Sequence, residues 1–318
     1  ISVHCVPNYN SNVILYTQNS LKSPHSIYKL DLTTKESIFE RQKPVPNYDS
    51  SLYATERQYA ISLDGTKVPI SIVYRKDTFN KDGTNKLYLY GYGSYGHTVD
   101  PTFKSDILPL LDRGFVYAIA HVRGGSFLGY KWYEDGKMEN KINTFHDFNA
   151  CAEHLITENY TFDKGITIEG RSAGGLLVGA AMTMRPELYR TVIAGVPFVD
   201  VLNTMADPTI PLTIPEWEQW GNPNQEKFYN LIKQYSPYDN INSVDYPHVL
   251  ALSGLNDPRV AYWEPSKFIA KLRHHNQSKS IMLLKTEMKQ GHFGGMDRYK
   301  HLREIAFTYS FVIKTYTI

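Results

Sequence analysis

The amino-acid sequence predicts an α/β fold, in which a mostly parallel β-sheet is covered by helices on both faces and is preceded by a short β segment. The residues before Lys67 form short alternating segments separated by turn residues, which is typical of an antiparallel meander. After Lys67, helical patterns alternate with apolar or β-branched runs of strand length, as in parallel sheets. These runs cover residues 68–74, 87–90, 115–121, 166–169, 191–196, 249–253 and 281–284.

Several helices are predicted between and after these strands. One has an apolar face at helical spacing, made by Phe145, Phe148, Cys151, Ala152, Leu155 and Ile156. Thr144 and Asp147 are candidates to cap its start. Further helices are expected after Gly174, from near Glu264, and over residues 298–313.

The segment between Asp200 and Tyr246 interrupts this alternation. Aromatic residues alternate there with prolines at positions 208, 211, 215, 223 and 237. A connection of this length between core strands usually builds a binding wall or a lid. We therefore expect this segment to shape a site at the edge of the sheet.

Composition excludes several classes of protein. Apolar residues make up 42% of the 318 residues, and 34 Lys plus Arg balance 32 Asp plus Glu. No basic run suggests a nucleic-acid or anionic-membrane partner, and no apolar stretch approaches the roughly 18 residues of a membrane span. Cys5 and Cys151 form neither a metal-binding pattern nor a disulfide framework. We expect two buried thiols, no metal and a cytoplasmic location.

A candidate nucleophile lies at the end of one predicted strand. Residues 170–175 read Gly-Arg-Ser-Ala-Gly-Gly, with a strand-like run before them and a helix-like run after them. Small residues around a serine allow the sharp strand-to-helix turn that exposes its hydroxyl. Ser172 is therefore predicted to be a nucleophile.

The general base and its orienting acid are expected later in the chain, in the order Ser, Asp, His. Asp257 follows the buried strand 249–253, and His292 lies on a glycine-rich loop after the next strand. Both loops are predicted at the same edge of the sheet as Ser172. His292 is the candidate base, and Asp257 is the candidate group that orients it.

An oxyanion hole requires hydrogen-bond donors beside the nucleophile. The backbone N–H of Ala173 is one candidate. The chain has no His-Gly-Gly-Gly segment to supply a second donor, and a Tyr/Gly-rich turn at residues 89–96 occupies the usual place. A tyrosine hydroxyl from this turn is the second candidate.

Taken together, these segments resemble the prolyl oligopeptidase family, and within it the oligopeptidase B branch. The resemblance extends from residue 52 to residue 318 and implies an α/β-hydrolase peptidase domain that needs no cofactor and cleaves short peptides after basic residues. It rests on ordered motifs at residues 90–96, 122–125, 170–175, 257–260, 262–265 and 291–292.

The resemblance also implies roles for individual residues. Ser172, Asp257 and His292 match the family triad, and Tyr92 matches the tyrosine that completes the oxyanion hole. Three further residues match positions that contact substrate: Arg259, Asp100 and Tyr95.

An acidic pair suggests the substrate preference. Glu216 and Glu218 are two residues apart, so in an extended backbone both carboxylates would point the same way. Two converging anions suit a cation, and the pair matches the residues that bind a P1 Arg or Lys in oligopeptidase B. Short basic peptides are therefore the expected partners, whereas the oligomeric state stays open.

Three features depart from the family pattern. Thr102 replaces one of two aspartates that favour a basic P2 residue, and Arg171 stands where glycine is usual before the nucleophile. The family also carries a seven-bladed β-propeller, of which residues 1–64 would be the end and the linker, with residues 65–318 as the peptidase domain. The chain starts at Ile1, so we expect either a fragment or a protein without that propeller.

Two other functions stay open at this stage. A carboxylesterase on the same fold would turn over esters without any dependence on Glu216 and Glu218. A truncated, inactive binding protein would keep the fold without catalysis, although the intact triad argues against it.

Overall fold

Two β-sheets organise the chain. The computed structural model describes every residue except 5, 7, 9, 295 and 296, so the expected thiol at Cys5 lies outside the described part. The strands are β1 (Ser2–His4), β2 (Val13–Gln18), β3 (Ser26–Asp31), β4 (Ser37–Gln42), β5 (Tyr53–Ile61), β6 (Lys67–Arg75), β7 (Leu87–Tyr90), β8 (Val116–Ala120), β9 (Ile166–Arg171), β10 (Tyr189–Gly195), β11 (His248–Gly254) and β12 (Met282–Glu287).

Helices connect the strands of the larger sheet. Short 3-10 turns also occur at Ser50–Leu52, Ser105–Ile107, Met138–Asn140 and Pro186–Leu188. The α-helices are α1 (Leu108–Leu111), α2 (Tyr130–Glu134), α3 (Ile142–Thr157), α4 (Ala173–Met184), α5 (Val201–Ala206), α6 (Thr213–Trp220), α7 (Glu226–Tyr235), α8 (Trp263–His275) and α9 (Arg298–Thr315).

The strand order confirms the predicted fold class. Strands β1 to β4 form an antiparallel sheet in sequential order, and the other eight form a mixed sheet in the order β12-β11-β10-β9-β7-β8-β6-β5. In the larger sheet only β5–β6 and β6–β8 pair antiparallel, and the neighbours from β8 through β12 are parallel. The carboxyl ends of β9, β11 and β12 consequently lie at one edge.

Successive side chains of the larger sheet point into two apolar cores. In β7, Leu87 and Leu89 pack into a core that includes residues of α3, α4 and α8. Tyr88, between them, packs into a second core with residues of α1 and α9. The free thiol of Cys151 is buried in the first core. Helices therefore cover both faces, as the alternating strands and helices predicted.

The boundary expected at residue 64 needs correction. Strand β5 pairs along its whole length with β6, from Tyr53 opposite Arg75 to Ile61 opposite Lys67. A hairpin of this length buries one face of β5 against α3 and makes it the edge strand of the α/β sheet. The α/β domain therefore includes residues from Tyr53 onward, and the small antiparallel sheet covers residues 2–42.

The expected cap of α3 is also wrong. The helix starts at Ile142, so Thr144 and Asp147 lie inside it rather than before it. Both are fully buried, and both bind the segment that follows β8. Thr144 Oγ1 donates to the Arg123 carbonyl, and the Asp147 carboxylate accepts from the Arg123 guanidinium at 2.6 Å. These polar side chains join two elements of the core instead of ending a helix.

Removing one carboxylate from Arg123 tests this junction. Arg123 is 4% exposed and pairs both with buried Asp147 and with Asp64, whose side chain is 46% exposed. Asp147→Ala is expected to lower the free energy of unfolding by roughly 3–5 kcal/mol, because it leaves a buried cation without its main partner. Asp64→Ala is the matched control and should cost less than about 1 kcal/mol. Urea unfolding measures both, and equal losses would contradict the assignment.

Candidate active site

A strained turn presents Ser172 at the carboxyl end of β9. Ser172 has φ 59° and ψ −119° and is followed directly by α4. A Cβ at Gly170 would lie 1.9 Å from the carbonyl oxygen of Gly174, so only glycine fits there. The Ser172 carbonyl accepts hydrogen bonds from the N–H groups of Gly175 and Phe198, and these bonds hold the turn in place. The local backbone therefore forces the serine side chain out of the sheet edge.

The structure brings the three predicted triad residues together. His292 Nε2 lies 3.0 Å from Ser172 Oγ, and His292 Nδ1 lies 2.8 Å from Asp257 Oδ2. The serine and the histidine are 120 residues apart in the chain. They meet because β9, β11 and β12 run parallel and the loops that follow them share one edge. The geometry suits proton transfer from serine to histidine.

Asp257 is held in its charged form. Burial favours a higher pKa for this carboxyl group, but hydrogen bonds from His292 and from the N–H groups of Val260 and Arg259 outweigh burial. The pKa of Asp257 is therefore below its usual value. A carboxylate at this position fixes the imidazole with Nδ1 protonated and leaves Nε2 free to accept the serine proton.

Two hydrogen-bond donors face the region beside Ser172. The N–H of Ala173 belongs to the first turn of α4 and has no carbonyl partner within its helix. Tyr92 lines the same cavity as Ser172, and burial raises the pKa of its hydroxyl, so the hydroxyl keeps its proton. A backbone amide and a neutral phenol can both stabilise an oxyanion.

A cavity of about 280 Å³ opens next to the serine. The segment between Asp200 and Tyr246, expected to form a wall or lid, contributes one side of it through α5, α6 and the loop between them. Its lining is mixed, with aromatic and aliphatic side chains around one carboxylate. The lining residues are Tyr92, Tyr95, Ser172, Ala173, Phe198, Thr204, Met205, Pro211, Leu212, Thr213, Glu216, Trp220, Arg259 and Val260.

The structure separates the two acidic residues that were expected to act as a pair. They lie on helix α6, not on an extended strand. On a helix, side chains that are two residues apart point about 200° away from each other. Glu216 lines the cavity and accepts hydrogen bonds from Tyr95 Oη at 2.8 Å and Trp220 Nε1 at 2.7 Å. Glu218 is exposed and outside the lining. The expectation of two converging carboxylates is therefore wrong, and Glu216 alone faces the cavity.

Of the other predicted substrate-binding residues, two line the cavity and one does not. Arg259 and Tyr95 line the cavity, and Arg259 also stacks on Phe293 at 5.0 Å from the ring centroid. Asp100 is exposed and does not belong to the lining. The Asp100 role implied by the resemblance stays a prediction.

The described part of the chain contains no group of three His, Cys, Asp or Glu residues arranged to bind a metal ion. In the same residues, no helix combines the length and the apolar character needed to cross a bilayer.

Comparisons with known proteins identify the family. A model of the prolyl oligopeptidase family matches residues 101–317. Protease 2 of Moraxella lacunata is 45% identical over 314 residues, which make up 98% of this chain. The chain belongs to the prolyl oligopeptidase family.

Solved structures of this family have the same architecture. Oligopeptidase B from Leishmania major superposes with a TM-score of 0.91 at 44% identity over 99% of this chain. The closed form of oligopeptidase B from Trypanosoma brucei, with covalently bound antipain, has a TM-score of 0.90 at 48% identity over 96% of this chain. This chain spans 45% of the length of Protease 2 and 44% and 43% of those two structures.

One buried residue of the site had no signal in the sequence. Lys141 is 1% exposed and lies behind the loop that carries Tyr92. Its ammonium donates to the Gly93 carbonyl at 2.6 Å, to Ser94 Oγ at 3.0 Å and to Thr144 Oγ1 at 3.2 Å. It also lies 5.2 Å from the ring centroid of Trp220, which lines the cavity. Lys141 thus joins the Tyr92 loop to the cavity wall.

The charge of Lys141 makes stability depend on pH. Burial lowers the pKa of Lys141 to about 7, against 10.5 for a free lysine. Between these values the unfolded chain binds more protons than the folded one, so stability rises with pH. From about pH 7 to about pH 9, the free energy of unfolding of the wild type should increase by roughly 2 kcal/mol relative to Lys141→Met.

Urea unfolding of both proteins at the two pH values measures this difference. Lys131→Met, at a side chain that is 83% exposed, is the control and should show no such change relative to the wild type. A pH-independent difference between the wild type and Lys141→Met would contradict the lowered pKa, because it would show that Lys141 stays charged in the folded protein across the window.

Proposed function

We propose that this chain carries the active site of a serine oligopeptidase, which hydrolyses short peptides on the C-terminal side of Arg or Lys through an acyl-enzyme. The observation that carries the proposal is the continuous hydrogen-bonded line Ser172–His292–Asp257 at the mouth of a cavity that contains one acidic side chain. Membership in a family of peptidases supports the same reaction class.

Acylation follows from this geometry. Ser172 Oγ attacks the carbonyl carbon of the scissile bond while its proton moves to His292 Nε2, 3.0 Å away. The carbonyl oxygen becomes an oxyanion that accepts hydrogen bonds from the Ala173 N–H and the Tyr92 hydroxyl. The C–N bond then breaks, the imidazolium returns the proton to the leaving amine, and the serine keeps the acyl group as an ester.

Deacylation repeats these steps with water. His292 takes a proton from a water molecule that attacks the ester carbonyl, and the same two donors stabilise the second oxyanion. The C–O bond to the serine breaks, and the proton on His292 returns to Ser172 Oγ. Asp257 keeps the imidazole in the required tautomer and stabilises its charged form in both halves. The T. brucei relative contains covalently bound antipain, which supports a covalent route.

The cavity favours a long cationic P1 side chain. The Glu216 carboxylate faces the cavity, and no basic side chain of the described residues approaches it within 4.0 Å. The aromatic rings of Phe198 and Trp220 line the path to it and suit the methylene stem of an arginine or lysine. Burying a cation beside this carboxylate would satisfy both charges.

The chemistry of cysteine suggests the cellular setting. The described cysteine is a buried free thiol, which suits a reducing compartment such as the cytoplasm. Short basic peptides remain the proposed partners, because the cavity of about 280 Å³ contains the Glu216 carboxylate.

Active-site labelling tests the reaction class. A fluorophosphonate probe should label the wild type at Ser172 and leave Ser172→Ala unlabelled, since the probe needs an activated serine. Ser172→Ala should also lose turnover of Arg-Arg and Gly-Pro fluorogenic peptides. Absence of labelling in the folded wild type would rule out both the peptidase and the carboxylesterase and would favour an inactive binding protein.

Substitution of each acidic residue tests the substrate class. Glu216→Gln should lower kcat/KM on Arg-Arg peptides by about thirtyfold to several thousandfold, because it leaves a buried cation unpaired. Turnover of a small neutral ester should change little. Glu218→Gln, on the opposite side of the same helix, is the matched control and should leave both activities within about twofold. Equal loss on the neutral ester after Glu216→Gln would contradict the specificity and would favour a structural role for Glu216.

A further inference from the structure

Arg171 directly precedes the nucleophile and reaches across to the candidate general base. It is the last residue of β9, and its guanidinium donates a hydrogen bond to the backbone carbonyl of His292 at 2.5 Å. The two residues are 121 positions apart in the chain. One side chain therefore connects the strand that carries Ser172 with the loop that carries the imidazole.

Among the described residues, few other backbone hydrogen bonds hold the loop around His292. Among the described residues near the histidine, backbone hydrogen bonds run from Asn256 N–H to the Gln290 carbonyl at 3.0 Å, from Gln290 N–H to the Glu287 carbonyl at 3.4 Å and from Gly294 N–H to the Gly291 carbonyl at 3.4 Å. The last two lie at the limit of a hydrogen bond. Glycines on both sides of the histidine give this backbone wide conformational freedom. A charge-assisted hydrogen bond to the carbonyl at its centre is therefore a major restraint.

Space around Arg171 makes this restraint more important. A cavity of about 290 Å³ is lined by Arg171, Phe293 and side chains of α9. A second, smaller cavity is lined by Arg171, Gly291 and Gly294. The loop consequently lies next to open volume on the side of Arg171, where a packed core would otherwise hold it. Arg171 lines this space and binds the loop backbone from that side.

The neighbouring strand makes room for this side chain. A Cβ at Gly195 in β10 would approach Arg171 Cγ to 3.2 Å, so the bare glycine accommodates the arginine stem. Among the described residues, Arg171 forms no ion pair with a carboxylate within 4.0 Å. The guanidinium is therefore directed to a backbone carbonyl and is not occupied by a salt bridge.

We propose that Arg171 is a positioning residue that holds the His292 loop in its reactive place by binding the histidine carbonyl. This role rests on the proposed function, because it acts through the base of that reaction. Arg171 itself does not line the cavity beside Ser172. Its loss should therefore lower the fraction of molecules with an aligned base and leave substrate binding unchanged.

Three variants test the proposal in the protein. Arg171→Met removes the hydrogen-bond donors but keeps an unbranched side chain of similar length. Arg171→Lys keeps the positive charge and an ammonium group that can still donate a hydrogen bond. Arg190→Met is the matched control, because Arg190 is also half-buried and binds backbone carbonyls, those of Thr315 and Ile318, in another part of the molecule.

The expected result is a lower kcat together with faster hydrogen exchange in the His292 loop. Arg171→Met should lower kcat on an Arg-Arg peptide by about tenfold to a hundredfold, with KM within about twofold, which reflects the loss of one hydrogen bond to a charged donor. Arg171→Lys should lie between it and the wild type. Hydrogen exchange of residues 288–294 should be faster in Arg171→Met and unchanged in Arg190→Met.

Several results would overturn the proposal: a kcat of Arg171→Met within twofold of the wild type, a matching rise in KM, or unchanged exchange in residues 288–294. If Arg171→Met lowers Tm more than Arg190→Met does, Arg171→Lys becomes the deciding variant under the same criteria. Failure of the proposed function would appear separately, as absence of fluorophosphonate labelling in the wild type. In that event hydrogen exchange alone decides whether Arg171 holds the loop.

Discussion

The close approach of two backbone segments at the nucleophile is the constraint on which the site depends. The carbonyl oxygen of Gly174 occupies the space where a side chain at Gly170 would begin. This contact allows β9 to end and α4 to begin at Ser172, with the serine in a left-handed conformation. The turn places the hydroxyl at the sheet edge, next to the Ala173 N–H, which has no carbonyl partner within its helix. The proposed nucleophile and the proposed oxyanion donor therefore both depend on one strained turn, which the packed sheet and helix maintain.

Buried ionisable side chains hold the rest of the site around this turn. Lys141 binds the loop that carries Tyr92, Arg123 joins the segment after β8 to α3, and Asp257 aligns the imidazole. Glu264, also fully buried, accepts hydrogen bonds from the N–H groups of Val199 and Asp200, just before the helical segment that walls the cavity. Such groups are costly to bury, and each is compensated by hydrogen bonds in a fixed direction. They provide orientation that apolar packing alone does not supply.

Much of the fold and part of the site follow from the sequence. Strand-length apolar runs predict the larger sheet. Both of its faces are buried, so each strand is a continuous apolar run that can be recognised in the sequence without knowing which strand it pairs with. The order of Ser172, Asp257 and His292 predicts which loops meet, because parallel strands bring their carboxyl ends to one edge.

Other features depend on tertiary contacts that a local pattern does not contain. Residues 213–220 contain a proline and two tryptophans and yet form a helix, so the spacing of Glu216 and Glu218 gave the wrong geometry. Strand β5 belongs to the α/β sheet because it pairs with β6. The amino-acid composition of β5 does not indicate this pairing. Lys141 and Arg171 act through backbone carbonyls from distant segments, and no sequence motif marks such contacts.

Glu216 and the three triad residues come from separate segments of the chain. Helix α6 belongs to an excursion between β10 and β11, whereas the serine, the aspartate and the histidine follow β9, β11 and β12. Changes in the length or composition of that excursion can therefore alter the cavity wall and leave the loops that carry Ser172, Asp257 and His292 unchanged. In a scaffold with this division, the shape of the cavity and the arrangement of the three hydrogen-bonded side chains can vary independently.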